Sequence, residues 1–222
     1  MIVYLQVITA MMFVDWTSGQ LICPPAEAIA PCSCSNTSWA IDCNGRNLND
    51  QQISLILDAF LSPGVSPVAT VWAKNNRLTQ IPSQICKFTK LITIDLSQNR
   101  IMSIPTGCFN LTSSWDLFIS LYSNLITTIP SGAFNFTFTG QFPGSVSLYL
   151  ANNLITSIQP SAMRLLKGRV SSFNFDLQSN QLASFPPDVF SIPNVTYSIS
   201  LYFNKLKTIT TGTLQGLIPY YY

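Results

Sequence analysis

The chain has 222 residues, of which 9% are charged, with a formal net charge of +2. So small a charge gives no footprint for nucleic acid or for an acidic surface, and a hydrophobic content of 47% is well above that of a disordered chain. There is no histidine, which excludes Ser-His-Asp and Cys-His catalysis and every histidine-ligated metal.

The N-terminus opens on an apolar run from Ile2 to Val14, followed by small polar residues. This pattern reads as a secretory signal peptide over residues 1–19, with Thr17 and Gly19 as the small residues before the cut. Its n-region carries no Lys or Arg, and the competing reading is a buried N-terminal helix or strand. The run is too short and poorly flanked for a membrane span, and no other segment approaches the ~18 apolar residues that a span needs. A signal peptide places the six cysteines in an oxidising compartment.

Four of those cysteines cluster as Cys23, Cys32, Cys34 and Cys43. Their spacing leaves three disulfide connectivities open. Zinc is the rival use, but the cluster lacks a CxxC pair. The segment "LNDQQISLILDAFLSPG" then reads as a helix. Asn49 or Asp50 caps its start, and Pro63-Gly64 ends it. Ile53, Ile56, Leu57 and Phe60 make its apolar stripe.

From residue 68 onward the chain repeats. Segments such as "LITIDLSQNRIMSIP" and "DLFISLYSNLITTIP" align on Asn76, Asn99, Asn124, Asn153, Asn180 and Asn204. The spacings are 23, 25, 29, 27 and 24 residues. Two apolar residues precede each Asn at fixed offsets and two follow, as Ile94, Leu96, Ile101 and Ile104 do around Asn99. A large residue usually comes ten later: Phe109, Phe134, Met163, Phe190, Leu214. Each repeat reads as one coil whose apolar side is buried only by its neighbours. The Asn amide is suited to satisfying backbone groups that the turn leaves unpaired.

This pattern, LxxLxLxxNxLxxIPxxxF, resembles the extracellular leucine-rich repeat family. The resemblance implies an α/β-type solenoid: a leucine-rich repeat horseshoe with short parallel strands on the concave face and a mostly irregular convex side. A disulfide N-cap and one cap helix complete it. "CPPAEAIAPCSCSNTSWAIDC" resembles that family's cysteine-rich N-terminal cap, which implies the pairs Cys23–Cys34 and Cys32–Cys43. Cys86 holds the corner position of the first repeat and Cys108 lies beside the corner of the second. Adjacent coils bring them within reach of a Cys86–Cys108 bridge; the alternative is two buried thiols. The expected organisation is a cap with helix over 20–67, six repeats over 68–216 and a tail over 217–222 without a cysteine-rich C-terminal cap. Covering of the last coil by Tyr220 to Tyr222, covering by a partner, and an incomplete chain all stay open.

In a strand of form xLxLx the x residues project outward. This places Thr70, Thr93, Phe118, Ser147, Asn174 and Ser198 in one column. Trp72, Asp95, Ser120, Tyr149, Asp176 and Ser200 form the next, and Lys74, Ser97, Tyr122, Ala151, Gln178 and Tyr202 the third. The expected binding residues are Trp72, Lys74, Asp95, Phe118, Tyr122, Tyr149, Asp176 and Tyr202, because Trp and Tyr are favoured binding anchors. The competing reading is a weakly selected surface with incidental aromatics. Sequons stand at Asn36, Asn110, Asn135 and Asn194, none of them in these columns.

The function expected is extracellular protein binding through the concave face, with no catalytic residue, metal or cofactor. Asp95 and Asp176 fall three coils apart, roughly 14 Å at ~4.8 Å per strand, too far for a catalytic carboxylate pair. The segments "FLSPGVSPV" and "SGAFNFTFTG" are similar to those of arthropod secreted leucine-rich repeat proteins. These include proteins resembling the non-catalytic subunit of a shrimp luciferase. That likeness implies the alternative role, a stabilising subunit of a secreted enzyme complex. A protein partner is expected; oligomeric state and ligand identity are not legible.

Overall fold

A computed structural model describes residues 23–35, 37–62, 65, 67–186 and 195–208. The signal-peptide segment, Asn36, Pro63-Gly64, Phe190, Asn194, Leu214 and the tail lie outside the described residues.

The cap begins with a short helix α1 (Ala26–Ile29), then β1 (Ser33–Ser35) antiparallel to β2 (Ala40–Asp42). Helix α2 (Asp50–Ala59) starts on a capping box, in which Asn49 accepts from the Gln52 amide while Gln52 Oε1 accepts from the Asn49 amide. Ten residues make only a marginal helix in isolation. Burial of Ile53, Ile56, Leu57 and Phe60 holds it on the body. Asp50 and Asp58 tie it to the first repeat by accepting from Thr79 N and Gln84 Nε2, both at 2.9 Å.

The coils follow, with one strand each in the principal sheet: β3 (Thr70–Trp72), β4 (Thr93–Asp95), β6 (Leu117–Ser120), β9 (Gly144–Tyr149), β12 (Val170–Asp176) and β13 (Thr196–Ser200). With β1 and β2 they form an eight-stranded sheet in the order β1-β2-β3-β4-β6-β9-β12-β13, parallel from β2 onward. Ile41, Val71, Ile94, Ile119, Leu148 and Phe175 follow one another in register on its inner face, all fully buried. The cap strand β2 thus acts as a coil in its own right, with Ile41 and Cys43 in the positions that Val71 and Ala73 take next.

Each strand ends four residues before its Asn, and the six asparagines form a ladder along one edge. In every one, Oδ1 accepts from a backbone amide of the preceding coil and Nδ2 donates to carbonyls of its own and the preceding coil. The residue just before each of these asparagines has φ near +55°, namely Asn75, Gln98, Ser123, Asn152, Ser179 and Phe203. That left-handed step bends the chain out of the strand and aims the Asn amide inward.

The far side is expected to be mostly irregular. Over the first repeat it holds only a 3-10 turn at Ile85–Lys87. Across the second to fourth repeats it carries more order: a two-stranded ladder of β7 (Thr128–Ile129) and β10 (Ser157–Ile158), and a three-stranded parallel sheet of β5 (Phe109–Ser113), β8 (Phe134–Phe138) and β11 (Met163–Lys167). The cause is local alternation. Phe109, Leu111 and Ser113, then Phe134, Phe136 and Phe138, point inward every second residue and are buried. Phe109 and Phe134 stack with centroids 5.2 Å apart and planes within 5°. A continuous apolar core runs from Ile29 to Val195. Disulfides join Cys23 to Cys34, Cys32 to Cys43 and Cys86 to Cys108, the last linking the far corners of the first two repeats.

Candidate binding surface

The outward, concave face of the principal sheet carries side chains in columns set by strand register. Thr70, Thr93, Phe118, Ser147, Asn174 and Ser198 follow one another, and so do Trp72, Asp95, Ser120, Tyr149, Asp176 and Ser200. Lys74, Ser97, Tyr122, Ala151, Gln178 and Tyr202 lie just past the strands. There, carbonyls of successive members accept from the amide following the equivalent residue one coil earlier, as Tyr122 O does from Gln98 N at 2.8 Å.

The middle of this face holds a group of aromatics joined by a ring contact and side-chain hydrogen bonds. The Phe118 and Tyr149 rings lie 5.2 Å apart at 41°, on neighbouring strands. Tyr149 Oη bonds to Asn174 Nδ2 at 3.2 Å, and Tyr122 Oη bonds to Asn152 Nδ2 at 2.9 Å. These bonds fix two phenol rings that otherwise have rotamer freedom to lose on contact. Phe118 is 37% exposed; Tyr122 and Tyr149 are half-buried. Tyr202 stands apart at the last strand, 73% exposed.

Trp72 is half-buried between Asp42 and Asp95, its register partners on β2 and β4. Asp42, Asp95 and Asp176 each use Oδ1 to accept from the amide two residues on, in Asn44, Ser97 and Gln178. They serve the turn as well as the surface. Lys74 is exposed, and its backbone amide donates to Asn44 Oδ1 at 2.9 Å. Asp95 and Asp176 are three strand positions apart in the sheet, ~14 Å at this strand spacing, so no carboxylate pair is assembled between them.

Two features lie outside the sequence expectation. The columns extend back into the cap through Ala40 and Asp42, which a reading that starts the repeats at residue 68 leaves out. The signal was present, because Ala40-Ile41-Asp42-Cys43 has the same alternation as Thr70-Val71-Trp72-Ala73. Trp115 and Phe142, 68% and 69% exposed, stand on side loops rather than on the sheet. The sequons at Asn110 and Asn135 fall in register with each other on β5 and β8, away from the principal sheet.

No family model matches the chain. It is 26% identical over 210 residues to human leucine-rich repeats and immunoglobulin-like domains protein 1, covering 87% of this chain and 18% of that protein. It is 25% identical over 198 residues to mouse oligodendrocyte-myelin glycoprotein, covering 88% of this chain and 38% of that one. The chain thus spans well under half the length of either relative. Among solved structures, the leucine-rich repeat domain of APL1B aligns with a TM-score of 0.44 at 16% identity, over 80% of this chain and 59% of that one. The narrower likeness to luciferase-associated proteins receives no support from these relatives.

Proposed function

We propose that this leucine-rich repeat protein is a secreted, glycosylated binding module that takes a protein partner on the concave face of its principal sheet. The carrying observation is the fixed aromatic group of Phe118, Tyr122 and Tyr149 at the middle of that face, braced by Asn152 and Asn174. Rigid aromatics with a polar tip lose little conformational entropy on binding and commonly dominate interface energy. The chain's relatives support the class: one is named for leucine-rich repeats and the other as a glycoprotein. Three disulfides suit an oxidising, extracellular setting. The signal segment at 1–19, the cap at 20–67 and the repeats at 68–216 are the domain limits proposed.

The test is capture from the extracellular fluid of the source by the secreted full-length protein, read by mass spectrometry. A parallel capture uses the Phe118→Ala/Tyr149→Ala double variant. One partner retained by the native protein and lost, by tenfold or more, from the variant is the expected result. A partner retained equally by both removes the concave-face assignment. N-terminal sequencing of the secreted product, beginning near Gln20, tests the signal peptide.

A further inference from the structure

The side edge of the solenoid, where each coil climbs from the far side back to the principal sheet, has a distinct chemistry. On four successive coils it presents Lys90, Trp115, Phe142 and Arg169. Their alignment follows from backbone contacts. Lys90 and Trp115 each stand three residues before the registered pair Thr93 and Phe118. The Ser113 carbonyl accepts from Thr139 N at 2.8 Å, and the Arg169 carbonyl accepts from Gly144 N at 3.1 Å. These contacts stack the loops of Trp115, Phe142 and Arg169 in that order.

Trp115 and Phe142 are more than two-thirds exposed, the most exposed aromatics away from the last strand among the described residues. Between them lies a shallow depression of about 130 Å³ lined also by Ser114, Gly140 and Gln141. The loops are held there by close backbone approach. A Cβ on Gly140 would meet Ser114 O at 2.1 Å, and one on Gly144 would meet Trp115 O at 2.4 Å. Lys90 and Arg169 are exposed, and neither enters an ion pair among the described residues. The Arg169 guanidinium reaches the Gln141 carbonyl at 3.5 Å, beside Phe142. The nearby acidic side chain, Asp116, uses Oδ1 to accept from Ser145 N at 2.9 Å.

We infer that this edge is a second docking surface, independent of the concave face, and that it takes an extended acidic peptide segment with an apolar residue at its centre. Charge complementarity and spacing carry the inference. The coils of Lys90 and Arg169 are three steps apart, ~14 Å at ~4.8 Å per step. In an extended peptide, residues i, i+2 and i+4 share a face, and i to i+4 spans ~13 Å. A segment of pattern acidic-x-apolar-x-acidic sets one carboxylate at Lys90, one at the Arg169 guanidinium, and the apolar side chain between Trp115 and Phe142. The depression is shallow, mainly apolar in lining and has room for one side chain, which suits the single apolar residue at the centre of such a segment.

The probe is a fluorescein-labelled peptide, Gly-Glu-Thr-Leu-Thr-Glu-Gly, titrated against the secreted full-length protein by fluorescence polarisation at low salt. Trp115→Ala and Phe142→Ala are each expected to weaken binding about tenfold. Lys90→Glu/Arg169→Glu is expected to lose the Glu peptide and to gain its Lys counterpart, while Tyr149→Ala leaves binding unchanged. Unchanged thermal melting shows that the variants fold. No binding at about 1 mM peptide, equal binding of the Lys peptide to the native protein, or unchanged binding to Trp115→Ala each overturns the assignment. So does retention on anionic vesicles or sulfated dextran that depends on Trp115 when the peptide does not bind.

Discussion

Asn99 Nδ2 donates to the carbonyl of Ala73, one coil back, at 2.9 Å. The same side chain accepts from the amide of Leu78 at 3.1 Å and donates to Leu96 O at 3.0 Å. One amide thus satisfies backbone groups of two coils that the turn would leave buried and unpaired.

Replacing such an asparagine breaks the join between coils as well as the turn. Asn124→Ala is expected to cost about 3 kcal/mol, because several buried backbone groups lose their partner at once. Asn204, at the last described coil and only half-buried, is expected to cost less. Urea unfolding of both variants checks the order. Equal losses would mean that the ladder does not act through burial.

Ser123 adopts φ +55° just before Asn124. Ser123→Gly is expected to be neutral or slightly stabilising, because relief of left-handed strain offsets the added freedom of the unfolded chain. Ser123→Val is expected to destabilise by about 1 to 2 kcal/mol, since a β-branched residue is poorly suited to that region. The comparison needs only the two unfolding midpoints. A valine variant as stable as the glycine variant would contradict the turn geometry.

Gly144 opens β9 with ordinary backbone angles, yet a Cβ there would sit 2.3 Å from the Phe138 ring and 2.4 Å from Trp115 O. The ring can shift; the carbonyl belongs to a stacked loop. Gly144→Ala is expected to lower stability by about 2 kcal/mol through overpacking and to disturb the Trp115 loop. Tryptophan fluorescence in the variant should report that disturbance, and an unchanged spectrum and melt would count against it.

Cys86–Cys108 closes a separation of 22 residues between the first two repeats. Replacing both cysteines with alanine is expected to cost about 3 kcal/mol by releasing loop-closure entropy in the unfolded chain. Thermal melts of the native and variant proteins under non-reducing conditions give the figure directly. A loss below about 1 kcal/mol would show that packing at the far corner already holds the two coils together.

Asn110 is exposed on β5, whereas its register partner Asn135 is half-buried with Oδ1 enclosed and unpartnered. Glycans at both would stand on adjacent strands, about 4.8 Å apart. Full occupancy is expected at Asn110 and partial occupancy at Asn135. Peptide mapping after enzymatic deglycosylation in heavy-oxygen water reads both sites, and an unmodified Asn110 would remove the expectation.

Much of this protein was legible before any coordinates. Recurrence of Asn at 23 to 29 residues with fixed apolar offsets specifies a coil, and coils of that kind have to stack to bury their apolar side. The first two columns follow from strand alternation, because every second residue of a strand faces the same way; the third lies past the strand ends, where Ser97 and Ala151 are buried. What alternation does not set is which outward residues are brought together between coils. The contact of Phe118 with Tyr149, the bracing of Tyr149 by Asn174, and the approach of Trp115 to Phe142 depend on loop lengths that differ from repeat to repeat. The alternation behind the three-stranded sheet on the far side is written in each repeat, but its pairing is not. Its strands needed neighbours at matching height, a relation between coils that no single repeat encodes.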